Sequence, residues 1–407
     1  MSRFGLLGRS LEHSHSPAIH RLFGSWPYEL FQREPKELAS FLLEEDWNGL
    51  NVTIPYKKAV IPFCHELSPL AQRLGSVNTL IKRADGTICG DNTDFYGFQQ
   101  MALKLGTPYH GKKALVLGSG GASATVQAVL KDMGCQVTVI SRSGPNHYGN
   151  LHRHGDASVL VNTTPVGMYP NNGASPLCLQ GFPHLEAVLD LVYNPARTRL
   201  LQEAEALGLP CLGGLFMLVC QAARASEQFT GAAISREMLE SVFRHMERSM
   251  ENLILIGMPG CGKSTVGRIL AQALGRDFVD TDSEVEAVIG MPISRYIREN
   301  GEDAFRAAET AVLERLGKQW GLVIATGGGC VTRAENYSHL YQNGRIIWLH
   351  RSLDSLPVNG RPVSQRDGIY SIYAARKAQY RRFSHMDVSN DGTPEETALQ
   401  IMEAIGK

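Results

Sequence analysis

The chain has 407 residues with 40 Lys plus Arg against 40 Asp plus Glu, 43% hydrophobic and 20% charged, which suits about two to three globular domains and leaves no net field to draw it to nucleic acid or an anionic membrane. Small soluble substrates are the expected partners, with oligomeric state left open. Eight cysteines with no Cys-x-x-Cys pair fit a reducing compartment, and neither a signal-peptide core nor an apolar run of membrane-spanning length is visible, so the expectation is a cytoplasmic protein without a disulfide frame or zinc site.

Apolar segments alternate with helical patterns throughout, which predicts α/β domains with parallel sheets. The chain opens with a strand-like Phe4–Gly8, followed by Ser14-His15-Ser16-Pro17 ahead of a helix over 18–23. The hydroxyls of Ser14 and Ser16 can bond a small carboxylate with help from the free N–H groups of the helix start. A plain Ser N-cap before Pro17 accounts for the same residues equally well. Next, Gly49–Lys57 reads as a short strand ending in a Pro turn that presents Asn51, Thr53 and Lys57, although a lone surface Lys is usually a solvated charge. Ser76–Leu80 and Gly90–Asp94 then bring Asn78 and Asp94 to the ends of short apolar runs. A Lys and an Asp brought together can move a proton to or from a sugar-like hydroxyl, because each shifts the protonation of the other.

Lys113–Leu117 reads as a buried parallel strand, and Gly118-Ser119-Gly120-Gly121-Ala122-Ser123 as a dinucleotide-type turn into a helix, with Ser123 at the third glycine position. About 20 residues on, a second strand, Val137–Ile140, ends in Ser141-Arg142-Ser143 where an NAD-specific fold places Asp or Glu. An Arg with two hydroxyls suits a 2′-phosphate and favours NADP. Two further strands, Ser158–Asn162 and Ala187–Leu191, end in Thr163–Met168 and Val192-Tyr193-Asn194-Pro195, where open α/β sheets bind ligands. In the amphipathic stretch 217–229, Met217 and Gln221 share one helical face.

A charged helix over 235–248 gives way at Met250-Glu251-Asn252 to a fresh strand, as if a second protein began there. Leu253–Ile256 leads into Gly257-Met258-Pro259-Gly260-Cys261-Gly262-Lys263-Ser264-Thr265 and a helix, the phosphate-loop pattern. Backbone N–H groups there surround phosphates, the Lys reaches the β/γ oxygens and the Ser holds Mg²⁺, so a nucleoside triphosphate is implied. Asp277–Asp282 is expected as a short strand carrying Asp280 and Asp282 to the same side of the sheet edge, one for metal and one for an acceptor hydroxyl. Arg306 is spaced to pair with Glu302 and Glu309 along a helix; an ordinary surface ion pair is the plainer alternative. Val323–Thr326 precedes Gly327-Gly328-Gly329, which permits close backbone approach to a ligand, and Gly360-Arg361-Pro362 lies in a polar loop placed as a lid.

On these motifs, residues 1 to about 248 resemble shikimate dehydrogenase. The likeness implies that Ser14 and Ser16 bind the substrate carboxylate, that Asn51, Thr53, Asn78, Asp94 and Gln221 bind ring hydroxyls with Tyr193 in the same set, and that Lys57 and Asp94 carry proton transfer. It also implies that Gly118, Gly120, Gly121, Ala122, Ser141, Arg142, Ser143 and Met217 hold NADP(H). Phe216 departs from the pattern, standing where many relatives have Gly, and Ser141-Arg142-Ser143 replaces Asn-Arg-Thr. Residues 250–407 resemble shikimate kinase, which implies ATP at Gly260, Cys261, Gly262, Lys263, Ser264, Thr265 and Arg361, and Mg²⁺ at Ser264 and Asp280. It further implies shikimate at Asp282, Arg306, Gly328, Gly329 and Arg376, with Asp282, Lys263 and Arg361 catalytic. Lys377-Ala378-Gln379 departs where relatives often have x-Pro-Leu.

The expected fold is thus a two-lobed dehydrogenase with a Rossmann-like NADP domain, followed by a P-loop kinase of the nucleoside-monophosphate-kinase type with a parallel sheet. Its expected parts are a substrate lobe at 1–95, a dinucleotide lobe at 96–215, helices packing back at 216–248, and a kinase domain at 250–407. Together they imply reduction of 3-dehydroshikimate to shikimate and its phosphorylation to shikimate 3-phosphate. The alternatives are a first half working mainly on quinate, or one kept as a binding or regulatory module; Lys57 and Asp94 argue against the latter.

Overall fold

The computed structural model describes residues 3–11, 14–24, 27–356 and 368–406. The chain divides into two compact units, Met1–Met168 with Ala174–Glu247, and Tyr169–Gly173 with Arg248–Lys407. Among the described residues, no helix is long and apolar enough to cross a membrane.

In the first unit, strands β1 (Phe4–Gly8), β2 (Tyr28–Gln32), β3 (Gly49–Val52), β4 (Glu66–Leu67), β5 (Thr79–Lys82) and β6 (Ile88–Asp91) form a sheet in the order β2-β1-β3-β5-β6-β4. This sheet is mixed, not parallel as the alternation of elements led us to expect. β5 runs antiparallel to both β3 and β6. The reason is local: only Arg83–Thr87 separate β5 from β6, too few for a crossover, and Asp85-Gly86, with Gly86 at φ +84°, closes a hairpin instead. Trp47, Tyr56, Phe41, Leu42 and Leu50 fill the core beneath it.

A second sheet in the same unit consists of β7 (Lys113–Leu117), β8 (Gln136–Ile140), β9 (Val159–Asn162), β10 (Ala187–Asp190) and β11 (Cys211–Gly213), in the order β11-β10-β9-β7-β8 with every pairing parallel. The runs Val159–Asn162 and Ala187–Asp190 are buried along their whole length, as strands covered on both faces must be. Helices Thr93–Leu105 and Leu215–Thr230 lie against each other, and Gly97 sets how closely. A Cβ there would stand 2.7 Å from the Met217 carbonyl oxygen and 3.0 Å from Gln221 Cβ. Helix Leu215–Thr230 also reaches the first sheet through Phe229, which stacks on Phe4 at 5.2 Å.

The second unit is built on β12 (Asn252–Ile256), β13 (Phe278–Asp280), β14 (Val323–Ala325), β15 (Gly344–His350) and β16 (Met386–Ser389), in the order β13-β14-β12-β15-β16 and parallel throughout. Asn-Leu-Ile-Leu-Ile of β12 is wholly buried at the centre. The expected strand to Asp282 is shorter than read from the sequence. β13 ends at Asp280, which caps helix Thr281–Ile289 by accepting the Asp282 N–H at 3.1 Å, so the two carboxylates lie on either side of a strand-to-helix corner rather than along one strand. Asp is a strong helix cap, and that preference ends the strand early.

Candidate active sites

In the first unit Lys57 Nζ lies 2.5 Å from Asp94 Oδ2, with both side chains partly exposed. Lys57 comes from the turn after β3. Asp94 comes from the first turn of helix Thr93–Leu105, whose cap Asn92 accepts the Phe95 N–H at 3.3 Å. Beside this pair runs a buried polar chain. Asn78 Oδ1 accepts the Thr93 N–H at 2.7 Å and the Thr79 hydroxyl at 3.0 Å, and the Thr93 hydroxyl lies 3.5 Å from Gln221 Oε1. Asn51 accepts the Tyr28 hydroxyl at 2.7 Å, and its amide reaches Thr79 Oγ1 at 3.5 Å. The fold thus links Asn51, Asn78, Gln221 and the helix turn that carries Asp94, from four separate stretches of sequence.

Ser16 does not cap its helix. Helix Ser16–Phe23 begins after His15, whose side chain makes no cap, and it is the Ser14 hydroxyl that accepts the Ser16 N–H at 3.2 Å. Thr53 is half-buried after β3, and Tyr193 is half-buried with its ring edge-on to His15 at 5.8 Å. Under Asn51, His20 stacks on Tyr28 at 3.9 Å and meets the Ser226 hydroxyl at 2.9 Å; burial holds its pKa down to about 3, so this histidine is neutral.

The dinucleotide-type turn has the form its glycines require. Gly118 has φ +102°, and a Cβ there would stand 2.9 Å from Thr163 Oγ1. Gly120 and Gly121 face open space, and helix Gly121–Asp132 starts without a side-chain cap among the described residues, which leaves its first N–H groups available to an anion. Ser123 fills the third position because its hydroxyl folds back to donate to the Gly118 carbonyl at 2.7 Å. Ser141 and Ser143 bond one another, hydroxyl to carbonyl, while Arg142 is exposed and makes no ion pair among the described residues. An uncapped helix start with an unpaired Arg at the next strand end fits a phosphorylated dinucleotide. Ala122 and Met217 are half-buried. Phe216, the departure from the family pattern, packs edge-on to Phe243 at 5.0 Å and under Lys104 Nζ at 4.4 Å.

In the second unit, a cleft of about 640 Å³ is lined by the phosphate loop, Asp280, Asp282, Arg306, Glu309, Gly327–Gly329 and Arg376. Lys263 is buried, and its ammonium is 3.0 Å from the carbonyls of Gly257 and Met258 with no carboxylate partner among the described residues. A buried cation held by two carbonyls and the Cys261 sulfur, with no anion beside it among the described residues, fits an incoming phosphate. The Ser264 hydroxyl donates to Asp280 Oδ2 at 2.6 Å, an oxygen donor pair of the kind that Mg²⁺ takes.

Arg306 is buried rather than on the surface, held by Glu309 at 2.8 Å and Glu302 at 3.2 Å. Arg376 is buried and donates to the Gly328 carbonyl at 3.1 Å, which also receives the Tyr380 hydroxyl at 2.5 Å. The tight glycines explain themselves: a Cβ on Gly328 would meet the Pro259 ring at 2.6 Å, and one on Gly329 the Arg306 guanidinium at 2.2 Å. Asp282 is solvent-exposed towards the cleft, yet the protein around it excludes enough water to push its carboxyl up to about 6, with Glu309 and Asp280 adding repulsion against the pull of Lys263 and Arg306. Arg361, expected on the lid with Gly360 and Pro362, lies outside the described residues. Two residues escaped the sequence reading as site members. Glu309 was visible only as a helix-spaced partner of Arg306, and Asn390, in the turn after β16, carries no local signal of its contact with the phosphate loop.

A parallel dinucleotide-type sheet joined to a lobe with a Lys–Asp pair defines a dehydrogenase, and a P-loop sheet with two buried arginines facing an acid pair defines a small-molecule kinase. Comparison with known proteins narrows both. The family model for the shikimate dehydrogenase substrate-binding domain matches residues 6–80, and that for shikimate kinase matches residues 259–406. The chain is 33% identical to the shikimate dehydrogenase (NADP(+)) of Clostridium perfringens strain SM101 over 270 residues, covering 61% of this chain and 99% of that protein. It is 40% identical to that of Oleidesulfovibrio alaskensis over 254 residues, 56% of this chain and 88% of that protein. Among solved structures, the shikimate 5-dehydrogenase of Thermus thermophilus in complex with NADP(H) and shikimate is 36% identical with a TM-score of 0.55, covering 60% of this chain and 99% of that one. The chain belongs to the shikimate dehydrogenase family and carries a shikimate kinase domain in its second unit.

Proposed function

We propose that the protein catalyses two reactions on one ring: reduction of 3-dehydroshikimate to shikimate, and phosphorylation of shikimate to shikimate 3-phosphate. The observation that carries the first is the Lys57–Asp94 pair at 2.5 Å beside the Asn51, Asn78 and Gln221 amides. When bound, NADPH supplies the hydride and MgATP the phosphoryl group. Lys57 gives a proton to the ketone oxygen as negative charge develops there, and Asp94 holds the ammonium in position. The amides bond the remaining hydroxyls, and Ser14 and Ser16 take the carboxylate. Gly120, Gly121 and Arg142 would hold the dinucleotide.

In the second unit, Asp282 accepts the proton of the ring hydroxyl, and Arg306 and Arg376 hold the carboxylate. Lys263 would face the phosphates, with Ser264 and Asp280 at the metal. A carboxyl poised near 6 is ionised at neutral pH yet basic enough to take a proton, which suits this role. The test is direct. Purified protein given 3-dehydroshikimate, NADPH and MgATP is expected to accumulate shikimate 3-phosphate, and with ATP omitted, shikimate. Failure to oxidise NADPH would remove the first assignment, and shikimate persisting with ATP present would remove the second. Relative rates with shikimate and quinate under NADP⁺ measure the selectivity of the first unit.

A further inference from the structure

Asn390 follows β16 and is distant in sequence from every motif of the nucleotide site, yet it is buried against the phosphate loop, 4% exposed. Its Nδ2 donates to the Cys261 carbonyl at 2.7 Å, and its Oδ1 accepts the Thr397 hydroxyl at 2.7 Å. A carbonyl only accepts, so the amide has one possible orientation: nitrogen to the loop, oxygen to helix Pro394–Ala404. Its own N–H is fixed as well, on the His350 carbonyl at 2.8 Å at the end of β15.

The loop is shaped around this amide. Gly262 has φ +97°, and a Cβ there would stand 2.3 Å from Asn390 Nδ2. The residue just before the phosphate-loop helix, Lys263–Leu274, must therefore be glycine both for its backbone angle and for the side chain pressed against it. Tying down the Cys261 carbonyl also fixes the peptide plane between Cys261 and Gly262, whose N–H lies among those a phosphate would meet.

We propose that Asn390 is a positioning residue for nucleotide binding, bracing the Cys261–Gly262 peptide in its phosphate-receiving orientation from the far end of the chain. The inference rests on the reading that residues 257–264 take nucleotide phosphates. Asn390 touches no reacting atom. Its work is to remove conformations of the loop that would otherwise have to be given up on binding, so its loss weakens nucleotide affinity and leaves the shikimate-binding groups, which come from other elements, in place.

The experiment uses the full chain and MgATP as the probe, with affinity measured by isothermal titration and KM by steady-state assay. Asn390→Ala is expected to raise the Kd and KM for MgATP about tenfold, the loss typical of a buried hydrogen bond whose partner is left unsatisfied. KM for shikimate should stay within about twofold, and the reductase activity of the first unit should not change. Asn390→Asp keeps the shape but offers the Cys261 carbonyl no proton, and it should weaken MgATP at least as much; it also serves if the alanine variant aggregates. MgATP affinity within about twofold of the parent in both variants overturns the proposal, as does shikimate affinity falling in step with ATP, which would mark general loosening of the unit. Absence of MgATP binding by the parent would instead overturn the kinase reading itself.

Discussion

Asp282 Oδ1 and Glu309 Oε1 close on Gly327 from two sides: a Cβ at that glycine would stand 2.6 Å from each. Glu309 is nearly fully buried, and among the described residues only its other oxygen is engaged, on Arg306 at 2.8 Å. Two acidic groups converge beside the cleft with the smallest residue between them. The repulsion from Glu309 helps hold the Asp282 carboxyl at about 6. Asp282 must be ionised to accept a proton, so kinase kcat/KM should rise with pH through about 6. Glu309→Gln removes a negative neighbour, makes ionisation easier and should move this acid limb to lower pH, by up to about one unit. A pH profile whose limb stays put or moves upward would refute the coupling.

The first unit holds a titrating group of the opposite exposure. Asp190 is fully buried at the end of β10, accepting from Asn162 Nδ2 at 3.0 Å, the Val192 N–H at 3.0 Å and the Thr198 hydroxyl at 2.7 Å. Burial outweighs these donors and raises its carboxyl from 3.8 to about 6. A folded-state value above the unfolded one means the folded form binds the proton more tightly, so this contribution to stability is complete below the unfolded value and is lost as pH rises through about 6. The melting advantage of the parent over Asp190→Asn should therefore be larger at about pH 4.5 than at about pH 7.5. Thermal melts of the two proteins side by side cancel every other carboxylate; an advantage that grows with pH would contradict the assignment.

Lys57→Met should lower the rate of 3-dehydroshikimate reduction by about 10²- to 10⁴-fold, the usual worth of a positioned proton donor, while leaving phosphorylation of added shikimate unchanged. Asp94→Asn should act in the same direction, because it removes the partner 2.5 Å from the ammonium. Steady-state assays of both activities on each variant decide this. Reductase turnover that survives Lys57→Met would move the proton donor elsewhere.

The parts of this molecule that sequence makes plain are those where backbone geometry leaves one solution. The phosphate loop needs its glycines, and Gly257, Gly260 and Gly262 all have positive φ; the parallel strands around it need unbroken apolar runs. Side-chain convergence was legible only as far as motif order carried it: nothing in the spacing of Lys57 and Asp94 says that they meet. What stayed hidden follows from competition between local preferences and packing. Asp280 ends its strand by capping a helix, Asp85-Gly86 turns β6 antiparallel to β5, and Arg306 is buried by two carboxylates where helix spacing alone also permits a surface pair. Asn390 was invisible because its partner lies 129 positions away.

Gly328 and Gly329 stand side by side but should fail differently when given a methyl group. At Gly329 the obstacle is the Arg306 guanidinium at 2.2 Å, the far end of a long side chain that can move. Gly329→Ala should raise KM for shikimate, since Arg306 is displaced from its place, and lower the melting temperature through the buried Glu309 left without its partner, while KM for MgATP stays near the parent value. At Gly328 the obstacle is the Pro259 ring at 2.6 Å and the Pro259 backbone N at 2.9 Å, which cannot yield without shifting the phosphate loop. Gly328→Ala should therefore lower the melting temperature of the second unit and raise KM for MgATP. Paired KM values for the two variants separate the cases, and identical behaviour would show that the contacts do not act independently.

Phe216 stands where many relatives have glycine, next to Met217, which the resemblance assigns to the dinucleotide. The structure gives the ring another occupation: it is 4% exposed, edge-on to Phe243 at 5.0 Å, with Lys104 at 4.4 Å over its face and Lys104 in turn paired with Glu240 at 3.0 Å. These contacts join helices Thr93–Leu105, Leu215–Thr230 and Arg236–Met250, and the first of those carries Asp94. Truncation leaves a cavity among three helices, so Phe216→Ala should destabilise the first unit by about 3–5 kcal/mol. At a temperature where the variant remains folded, KM for the dinucleotide should change by no more than about threefold, because the lost atoms packed against the core and not against a ligand. Denaturant unfolding monitored alongside reductase kinetics makes the distinction: a stable variant with a strongly altered dinucleotide KM would place the ring at the cofactor after all.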